Sequence, residues 1–253
     1  AAGRSVSIVY SPLDALKLAQ ENPDQQIVFV GVGFETTTPL VAMAIKRAKA
    51  LGLKNFSVFV AHKNMPGALE TIVSDPSLRI DALILPGHVS TIIGMKPYEF
   101  LAKKYGIPGV ITGFEAVDVL QGVAMIMRQL HEGRAEIEIA YTRGVAPEGN
   151  QVAVAAINEV FHTVDATWRG LGVIPGSGYA IRPEFAEFDA FQRFEPAVEP
   201  TQEPKGCRCG DVLRGMMAPN ECPLFRKVCT PENPVGPCMV SSEGSCAAYF
   251  RYL

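Results

Sequence analysis

The first 206 residues of this 253-residue chain contain no cysteine, and all six cysteines lie between Cys207 and Cys246. Long apolar runs are missing as well, since none approaches the ~20 residues that a membrane-spanning helix needs. A surplus of positive charge is also missing: the net charge is −3, with no basic stripe, which argues against nucleic acid as the main partner. The chain starts without the apolar core of a targeting peptide. These absences predict a cytoplasmic protein with no membrane and no nucleic acid among its partners.

The part without cysteine has the pattern of an α/β protein, with hydrophobic residues making up 48% of the chain and charged residues 19%. Between residues 6 and 140, short apolar runs alternate with helical patterns, which is typical of βαβ units. The apolar runs predict strands at Val6–Tyr10, Ile27–Val32, Phe56–Val60, Ala82–Leu85 and Gly109–Ile111. The helical patterns predict helices at Asp14–Gln20, Thr38–Leu51, Gly67–Ser74, Lys96–Tyr105 and Ala116–His131. We therefore expect an α/β fold with a mainly parallel, doubly wound sheet over residues 1–145.

Residues 146–205 are less regular and are predicted to connect the α/β domain to a cysteine-rich domain at residues 206–253. An amphipathic helix is predicted at Gln151–Val164, followed by an extended stretch with a glycine turn at Val173–Gly178. The aromatic and acidic stretch Phe185–Phe194 favours packing or a partner surface over chemistry. The predicted linker is marked by Pro196, Pro200 and Pro204.

The unusual polar residues of the α/β domain follow four of its predicted strands. Loops after parallel strands meet at the carboxyl edge of the sheet, where open α/β folds bind ligands. The side chains predicted to converge there are Glu35, His62, His88, Glu115 and Asp118. Thr36, Thr37 and Thr38 open the following helix, whose first N–H groups attract anions. We expect Glu35, His88 and Glu115 to act in one cleft, and His62 and the three threonines to bind a ligand there.

Each of these residues also has a purely structural interpretation. A threonine-rich turn before a helix is often only a cap, and Glu35 and Glu115 could simply complement a helix dipole. The histidines could be loop residues whose hydrogen bonds are met internally. Gly31-x-Gly33 resembles the beginning of a dinucleotide-binding fingerprint, but Thr36 stands where its third glycine belongs.

The cysteine-rich domain is too short to bury a large core, so we expect disulfide bonds or a metal site to stabilise it. Three such arrangements are possible. Structural disulfides fit poorly with a chain that has no secretion signal. Zinc usually takes C-x2–4-C pairs, often with histidine, and this segment has neither. An iron–sulfur cluster is held by four thiolates and accepts scattered ligands. We favour the cluster, although spacing alone does not choose four ligands from six cysteines.

This domain resembles the C-terminal domain of the HypD family, the iron–sulfur scaffold proteins of [NiFe]-hydrogenase maturation. The matching residues are Cys207-Arg-Cys209, Cys222-Pro223, Cys229, Gly236-Pro237-Cys238 and Cys246. The loops after the predicted strands are similar to the same family in the stretches GFETT and PGHVS. The resemblance covers essentially all of the chain. The family's preceding domain, with a CGTH-type motif and a CPVC redox pair, has no counterpart here, so the chain looks like the C-terminal two thirds of such a protein.

The resemblance implies roles for all six cysteines. Four would hold one [4Fe–4S] cluster: Cys207, Cys222, Cys229 and Cys246. Cys209 and Cys238 would form an adjacent redox-active pair, as in the related cluster of ferredoxin:thioredoxin reductase. The implied function is a cytoplasmic assembly scaffold rather than a turnover enzyme. It would carry iron while cyanide and CO ligands are attached, together with a small HypC-type chaperone and a HypE-type cyanide donor, and would serve the hydrogenase large subunit indirectly.

Two other functions remain open at this point. One is an iron–sulfur thiol:disulfide reductase that acts independently on its own substrate. The other is a small-molecule enzyme at the α/β rim with a structural zinc domain.

Overall fold

The computed structural model describes residues 5–197 and 204–253, so the predicted linker residue Pro200 lies outside the described part. The strands of the described part are β1 (Ile27–Gly33), β2 (Phe56–His62), β3 (Leu83–Pro86), β4 (Gly109–Thr112), β5 (Ile137–Ile139), β6 (Phe161–Trp168) and β7 (Gly172–Ile181). Its α-helices up to the linker are α1 (Pro12–Glu21), α2 (Thr38–Ala50), α3 (Met65–Val73), α4 (Gly87–Ile93), α5 (Glu99–Tyr105), α6 (Ala116–Glu132), α7 (Gln151–Val160) and α8 (Ala190–Phe194). After the linker come α9 (Cys209–Leu213), α10 (Pro237–Val240) and α11 (Ser245–Tyr252). Short 3₁₀ turns lie at Lys96–Tyr98, Pro183–Phe188 and Pro219–Glu221.

The parallel strands divide into two sheets, so the expected single doubly wound sheet is not found. β1 pairs with β2 from Ile27 opposite Phe56 to Gly33 opposite His62. β3, β4 and β5 form a separate parallel sheet in that order. The second edge of β2 is taken by other parts of the chain: Val58 bridges to Asp189, and the following Lys63 bridges to Gly178 of β7. β3 therefore cannot pair with β2, and the fold is a mixed α/β structure with small parallel sheets.

Four of the five predicted strands are confirmed, with ends shifted by one or two residues. The strand predicted at Val6–Tyr10 is wrong: described residues 5–9 have no regular secondary structure, and Val6, Ile8 and Tyr10 are exposed. An apolar run becomes a strand only where a neighbour supplies the ladder of hydrogen bonds, and none does so here. The helix predicted at Gln151–Val164 ends at Val160, because the aromatic and β-branched residues that follow start β6.

The region expected only to connect two domains carries a β-hairpin that belongs to the main core. β6 and β7 pair antiparallel, with an irregularity between Val164 and Ala166. Phe161 and Ile181 of the hairpin pack in the same apolar cluster as Ile45 of α2 and Phe56 of β2. Phe188 joins that cluster, so the predicted packing role of the aromatic stretch is confirmed for its first half. A second apolar cluster lies under β3–β5 around Leu85, Tyr98, Leu101 and Ile111.

The cysteine-rich domain has a third core of its own, built largely from sulfur. Its buried members are Cys209, Phe225, Cys229, Cys238, Met239, Cys246 and Ala247. The domain docks on the α/β part through Arg214, whose Nη1 lies 2.8 Å from Asp75 Oδ2 just after α3. It also docks through Arg169 in the β6–β7 turn, which donates to the Val235 carbonyl at 3.2 Å. Within the described ranges, no helix combines the length and apolar character that crossing a membrane requires.

Candidate functional site

Short helices and turns bring the six cysteines together. Cys209 begins α9 two residues after Cys207, and Cys222 ends the 3₁₀ turn at Pro219–Glu221. Cys229 follows a tight turn that returns its carbonyl to Arg226 N–H at 3.2 Å. Cys238 lies in α10, and Cys246 in the first turn of α11. Proline at the start of α10 and of the 3₁₀ turn fixes the backbone angle there.

A small cavity, here called the cysteine cavity, lies at the centre of this domain. Its sulfur-bearing walls are Cys207, Cys209, Cys222, Cys229 and Cys246. Leu224, Phe225 and Met239 complete an apolar lining. All four cysteines predicted as cluster ligands therefore border one space, and Cys238 does not border it. The cavity holds ≈ 10 Å³, about the room that one water needs, so a cluster would enter only if the sulfurs moved outward.

Backbone N–H groups point at two of the sulfurs. Cys238 N–H donates to Cys209 Sγ at 3.1 Å, and Val235 N–H donates to Cys229 Sγ at 3.4 Å. Gly236 lies between these donors, and a Cβ there would collide with Cys207 Sγ. Such N–H···S contacts stabilise thiolate ligands and tune iron–sulfur centres. In chemical kind, the thiol donors, the apolar walls and the N–H groups suit an all-thiolate iron–sulfur cluster, whereas the spacing of the sulfurs would have to widen.

The surroundings raise the pKa of three of the thiols, those of Cys207, Cys238 and Cys246. Burial, followed by the charges of the neighbouring thiols, raises the pKa of Cys246 to about 12. The hydrogen bond with Cys209 is the largest cause of the raised pKa of Cys238, and burial is the second. Burial likewise raises the pKa of Cys207. The cysteines form no disulfide within the described chain, and no three His, Cys, Asp or Glu side chains there are placed to hold one metal ion. Metal binding would have to displace the thiol protons.

The polar rim, defined here as Glu35, His62, His88, Glu115 and the Thr36–Thr38 turn, is divided between the two sheets. Glu35 and His62 lie at the end of the β1–β2 sheet, and each is 1% exposed. Glu35 Oε1 accepts the N–H of Met65 at the start of α3, at 2.9 Å. Its Oε2 finds no hydrogen-bond partner among the described residues. Burial raises the pKa of this carboxyl group. Glu35 is therefore buried in the β1–α2 turn, and its action in one cleft with His88 and Glu115 stays a prediction.

His62 is the last residue of β2 rather than a loop residue, and it faces the core. Its ring centroid is 6.4 Å from that of Phe161, and a Cβ on Gly31 would lie 2.7 Å from His62 Cε1. Neither ring nitrogen has a hydrogen-bond partner in the described part of the chain. Burial lowers the pKa of His62 to about 4. The first glycine of the fingerprint-like Gly31-x-Gly33 therefore makes room for a histidine ring.

The threonine turn is not a conventional cap. Thr37 occupies the N-cap position of α2, but its side chain accepts no helix N–H. Instead, Thr37 Oγ1 and Thr38 Oγ1 donate to the Phe34 carbonyl at 3.1 and 2.9 Å. Thr36 and Thr37 are exposed, whereas Thr38 is buried. An anion at this turn remains a prediction.

The rim residues of the β3–β5 sheet lie on the surface. His88, in the first turn of α4, is exposed and stacks on Phe114 with ring centroids 4.4 Å apart. Glu115 is exposed, and its Oε2 lies 3.5 Å from Arg143 Nη2. Asp118, one helical turn further on, forms two 2.6 Å hydrogen bonds with the same guanidinium. Those bonds lower the pKa of Asp118. The Arg143 pairing was not visible in the sequence, since 25 residues separate the partners.

Sequence reasoning missed two tyrosines near Glu35: Tyr98, which is buried, and Tyr179 of β7, which is partly buried. Tyr98 packs in the β3–β5 core, and its hydroxyl lies 3.5 Å from Ser90 Oγ of α4. Burial raises the pKa of Tyr98 and Tyr179, and the charge of Glu35 contributes to both shifts. Glu35 is thus within electrostatic reach of Tyr98 and of Tyr179. His88 and Glu115 are not shown to meet it.

Comparison with known proteins identifies the class to which these features belong. The chain matches the family described as "HypD: Hydrogenase formation hypA family" over residues 1–253, and it belongs to that family. It is 48% identical to the hydrogenase maturation factor HypD of Cupriavidus necator, covering 99% of this chain and 68% of the relative. It is 50% identical to the hydrogenase expression/formation protein HupD of Azotobacter chroococcum, covering 98% and 67%. The HypD of Escherichia coli K12 is 45% identical, covering 100% and 68%.

Proposed function

We propose that this chain acts in hydrogenase maturation, as the names of its relatives indicate for those proteins. Its part in that process is to carry a [4Fe–4S] cluster on Cys207, Cys222, Cys229 and Cys246. The observation that supports the proposal most directly is that these four thiols border one apolar cavity. A bound cluster would supply one electron at a time. The chain's own contribution is to exclude water, orient the four thiolates and donate N–H groups to the neighbouring sulfurs.

Cys209 and Cys238 form the thiol pair of this proposal. Cys209 borders the cysteine cavity, and both the N–H group and the thiol of Cys238 interact with it. The pair is therefore next to the ligands without being needed among them. Its proposed role is to pass electrons between the cluster and the iron centre that receives cyanide and CO.

The polar rim is the proposed place where that iron and its carriers are handled, in the cytoplasm. Exposed His88, Glu115 and Thr36 offer contacts to a partner, whereas buried Glu35 holds the start of α3 and buried His62 packs against Gly31. The proposed partners are a small HypC-type chaperone and a HypE-type cyanide donor. The chain spans about two thirds of the length of the relatives it matches, so the activity of the whole protein remains part of the proposal.

Anaerobic purification tests the cofactor. We expect a broad sulfur-to-iron absorption band and equal amounts of iron and acid-labile sulfide, near four of each per chain, as a [4Fe–4S] cluster requires. Zinc without sulfide would contradict the cluster and favour the small-molecule enzyme with a structural zinc domain.

Co-purification tests the scaffold role against the independent reductase. A scaffold is expected to retain a small HypC-type chaperone in stoichiometric amount and to show no turnover of thiol substrates alone. Steady reduction of a substrate disulfide by the isolated chain, with no chaperone bound, would favour the reductase.

A further inference from the structure

Besides the internal cysteine cavity, a groove on the protein surface reaches one member of the thiol pair. A surface groove of ≈ 340 Å³ runs along the turn that contains Cys207 and Cys209. We call it the Cys209 groove; its walls are Gly170, Cys207, Arg208, Cys209, Gly210, Asp211 and Arg214. Cys209 thus borders both the cysteine cavity and the groove, as does the predicted cluster ligand Cys207. Cys238 borders neither of these two spaces in the described structure.

Glycine keeps this groove open. Gly170 lies in the β6–β7 turn with a φ of +86°, and a Cβ there would be 3.7 Å from Cys209 Cβ and 3.9 Å from Pro237 Cγ. Those are ordinary contacts, so a larger side chain at this position would lie across Cys209. On the other wall, a Cβ on Gly210 would come within 2.6 Å of the Gly170 carbonyl oxygen. The domain contact itself therefore requires a bare backbone at the groove.

The two members of the pair differ in what surrounds them. Cys238 is enclosed by α10 and α11, since Gly244 at the start of α11 packs against the Cys238 backbone. Its N–H group and thiol are both directed to Cys209. Of the two members of the pair, an external group that entered the groove would therefore meet Cys209 and not Cys238.

We propose that Cys209 is the sulfur at which an external thiolate exchanges with the pair, and that the Cys209 groove is its entrance. This inference rests on the proposed function, in which Cys209 and Cys238 form a disulfide. The thiolate of a dithiol reductant attacks Cys209 Sγ, a new S–S bond forms, and the Cys209–Cys238 bond breaks. Cys238 leaves as a thiolate and takes a proton. The reductant's second thiol then attacks its own bound sulfur, so the reductant becomes a disulfide and Cys209 is released with two electrons gained by the pair.

The shared chemistry of the ligand is a thiolate on a narrow, flexible carrier. The glycine walls allow close backbone approach, and the arginines are already paired: Arg208 with Asp211, and Arg214 with Asp75 and Asp211. Both a small dithiol and the reactive loop of a dithiol protein meet these requirements.

Trapping experiments locate the attacked sulfur. The complete, anaerobically purified protein is oxidised and then treated either with a small monothiol or with a dithiol protein whose resolving cysteine is replaced by serine. Neither reagent carries a second thiol that could complete the exchange; with at most one equivalent of reagent and immediate alkylation of the released protein thiol, the mixed disulfide persists, and peptide mapping by mass spectrometry identifies the residue. Adducts on Cys209 support the proposal, and comparison of the two reagents shows which carrier the groove accepts. Adducts on Cys238 overturn it.

A matched pair of glycine variants tests the entrance. Gly170→Asn places a side chain over Cys209, and asparagine tolerates positive φ. Gly172→Asn is the control, because Gly172 has a φ of +79° in the same turn but no atom within 4 Å of an added Cβ. In the reduced protein, we expect Gly170→Asn to slow alkylation of Cys209 about tenfold, since thiol reactivity follows access, and Gly172→Asn to leave it unchanged. Equal rates of Cys209 alkylation in both variants would show that the Cys209 groove is not the entrance.

The two tests separate this inference from the function on which it rests. If oxidation produces no Cys209–Cys238 disulfide, the redox pair of the proposed function fails, while the alkylation rates still decide whether the groove leads to Cys209. If the disulfide forms but exchange occurs at Cys238, the proposed function stands and the inference fails.

Discussion

The α/β part and the cysteine-rich domain have cores of different composition. The α/β part buries two apolar clusters made of ordinary aliphatic and aromatic side chains, around Ile45 and Phe56 and around Leu85 and Tyr98. The cysteine-rich domain has short helices, and four of the seven buried residues in its core are cysteines. Under the proposed function, a cluster that replaced the thiol protons would add its binding free energy to the stability of this core.

Because of this difference, the residues that stabilise the fold and the residues proposed for chemistry are related differently in the two regions. In the α/β part, the polar residues that we expected to act in chemistry are partly structural: Glu35 holds the start of α3, and His62 packs on Gly31. In the cysteine-rich domain, the residues proposed for chemistry are themselves the core. Substitutions should therefore affect the two regions through different mechanisms.

Loss of a cluster ligand is expected to have the largest effect. Cys222→Ser should abolish iron binding and unfold residues 206–253, because in the proposed function the metal supplies the folding free energy there. The backbone amides of β2 and α2 should remain protected from hydrogen exchange. Hydrogen exchange with iron analysis measures both effects. Cys238→Ser is the matched control and should retain the iron. Near-full iron content in Cys222→Ser, or loss of iron in Cys238→Ser, would contradict the ligand assignment.

The buried histidine should give the α/β part an acid-sensitive stability. The pKa of His62 is about 4 in the folded chain and 6.5 when unfolded, so the unfolded state binds the proton more tightly. The stabilisation is complete above pH 6.5 and falls by about 3 kcal/mol as pH drops toward 4. Denaturant titration of His62→Leu between these pH values should show a flatter dependence than the parent. His162→Gln alters an exposed histidine and should keep the parent slope.

Glu35 should have a smaller effect whose sign depends on the replacement. Glu35→Ala leaves the Met65 N–H without its acceptor, which should cost about 1–3 kcal/mol. Glu35→Gln keeps an acceptor oxygen and removes a buried charge. Since burial raises the pKa of Glu35, its stabilising contribution is present at low pH and is lost as pH rises through the folded pKa. The free energy of unfolding of Glu35→Gln should therefore increase relative to that of the parent protein as pH rises. Equal loss in both variants at neutral pH would show that the carboxylate itself is required.

The smallest effect on stability is expected at His88. His88 is exposed and stacks on Phe114, which is itself 68% exposed, so His88→Ala should change the free energy of unfolding by less than about 0.5 kcal/mol. Hydrogenase maturation in a complementation assay should nevertheless fall if the polar rim is a working surface. Lys103→Ala, which breaks an exposed pair on α5, provides a control with similar stability and full activity. Full activity of His88→Ala would remove this residue from the site.

The sequence predicted local structure well and failed where distant parts of the chain compete for one edge. Ile27–Val32 and Phe56–Val60 read correctly as strands because their apolar runs are continuous. The burial that such a run predicts on both faces is wrong for β1, where Val28, Val30 and Val32 are exposed. The split into two sheets depends on Asp189 and Gly178 reaching β2, which no local pattern reveals. His62 was expected in a loop because it is polar, yet it continues β2 to the core.

The site divides in the same way. That Cys207, Cys222, Cys229 and Cys246 belong together came from resemblance to a family, since spacing left every set of four open. The Arg143–Asp118 pair and the position of Tyr98 near Glu35 arise from packing between separate elements. Neither has a sequence signature, because each partner is an ordinary residue in its own segment.

One helix connects the two regions mechanically. α3 is held at its first residue by Glu35, and Asp75, two residues beyond its last turn, is held by Arg214 of the cysteine-rich domain. Nine helical residues make a rod about 13 Å long. Because α3 is held at both ends, a displacement of one end is passed on to the other end. If the cysteines spread to admit a cluster and draw Arg214 with them, the β1–α2 turn must either follow the movement of the rod or release it.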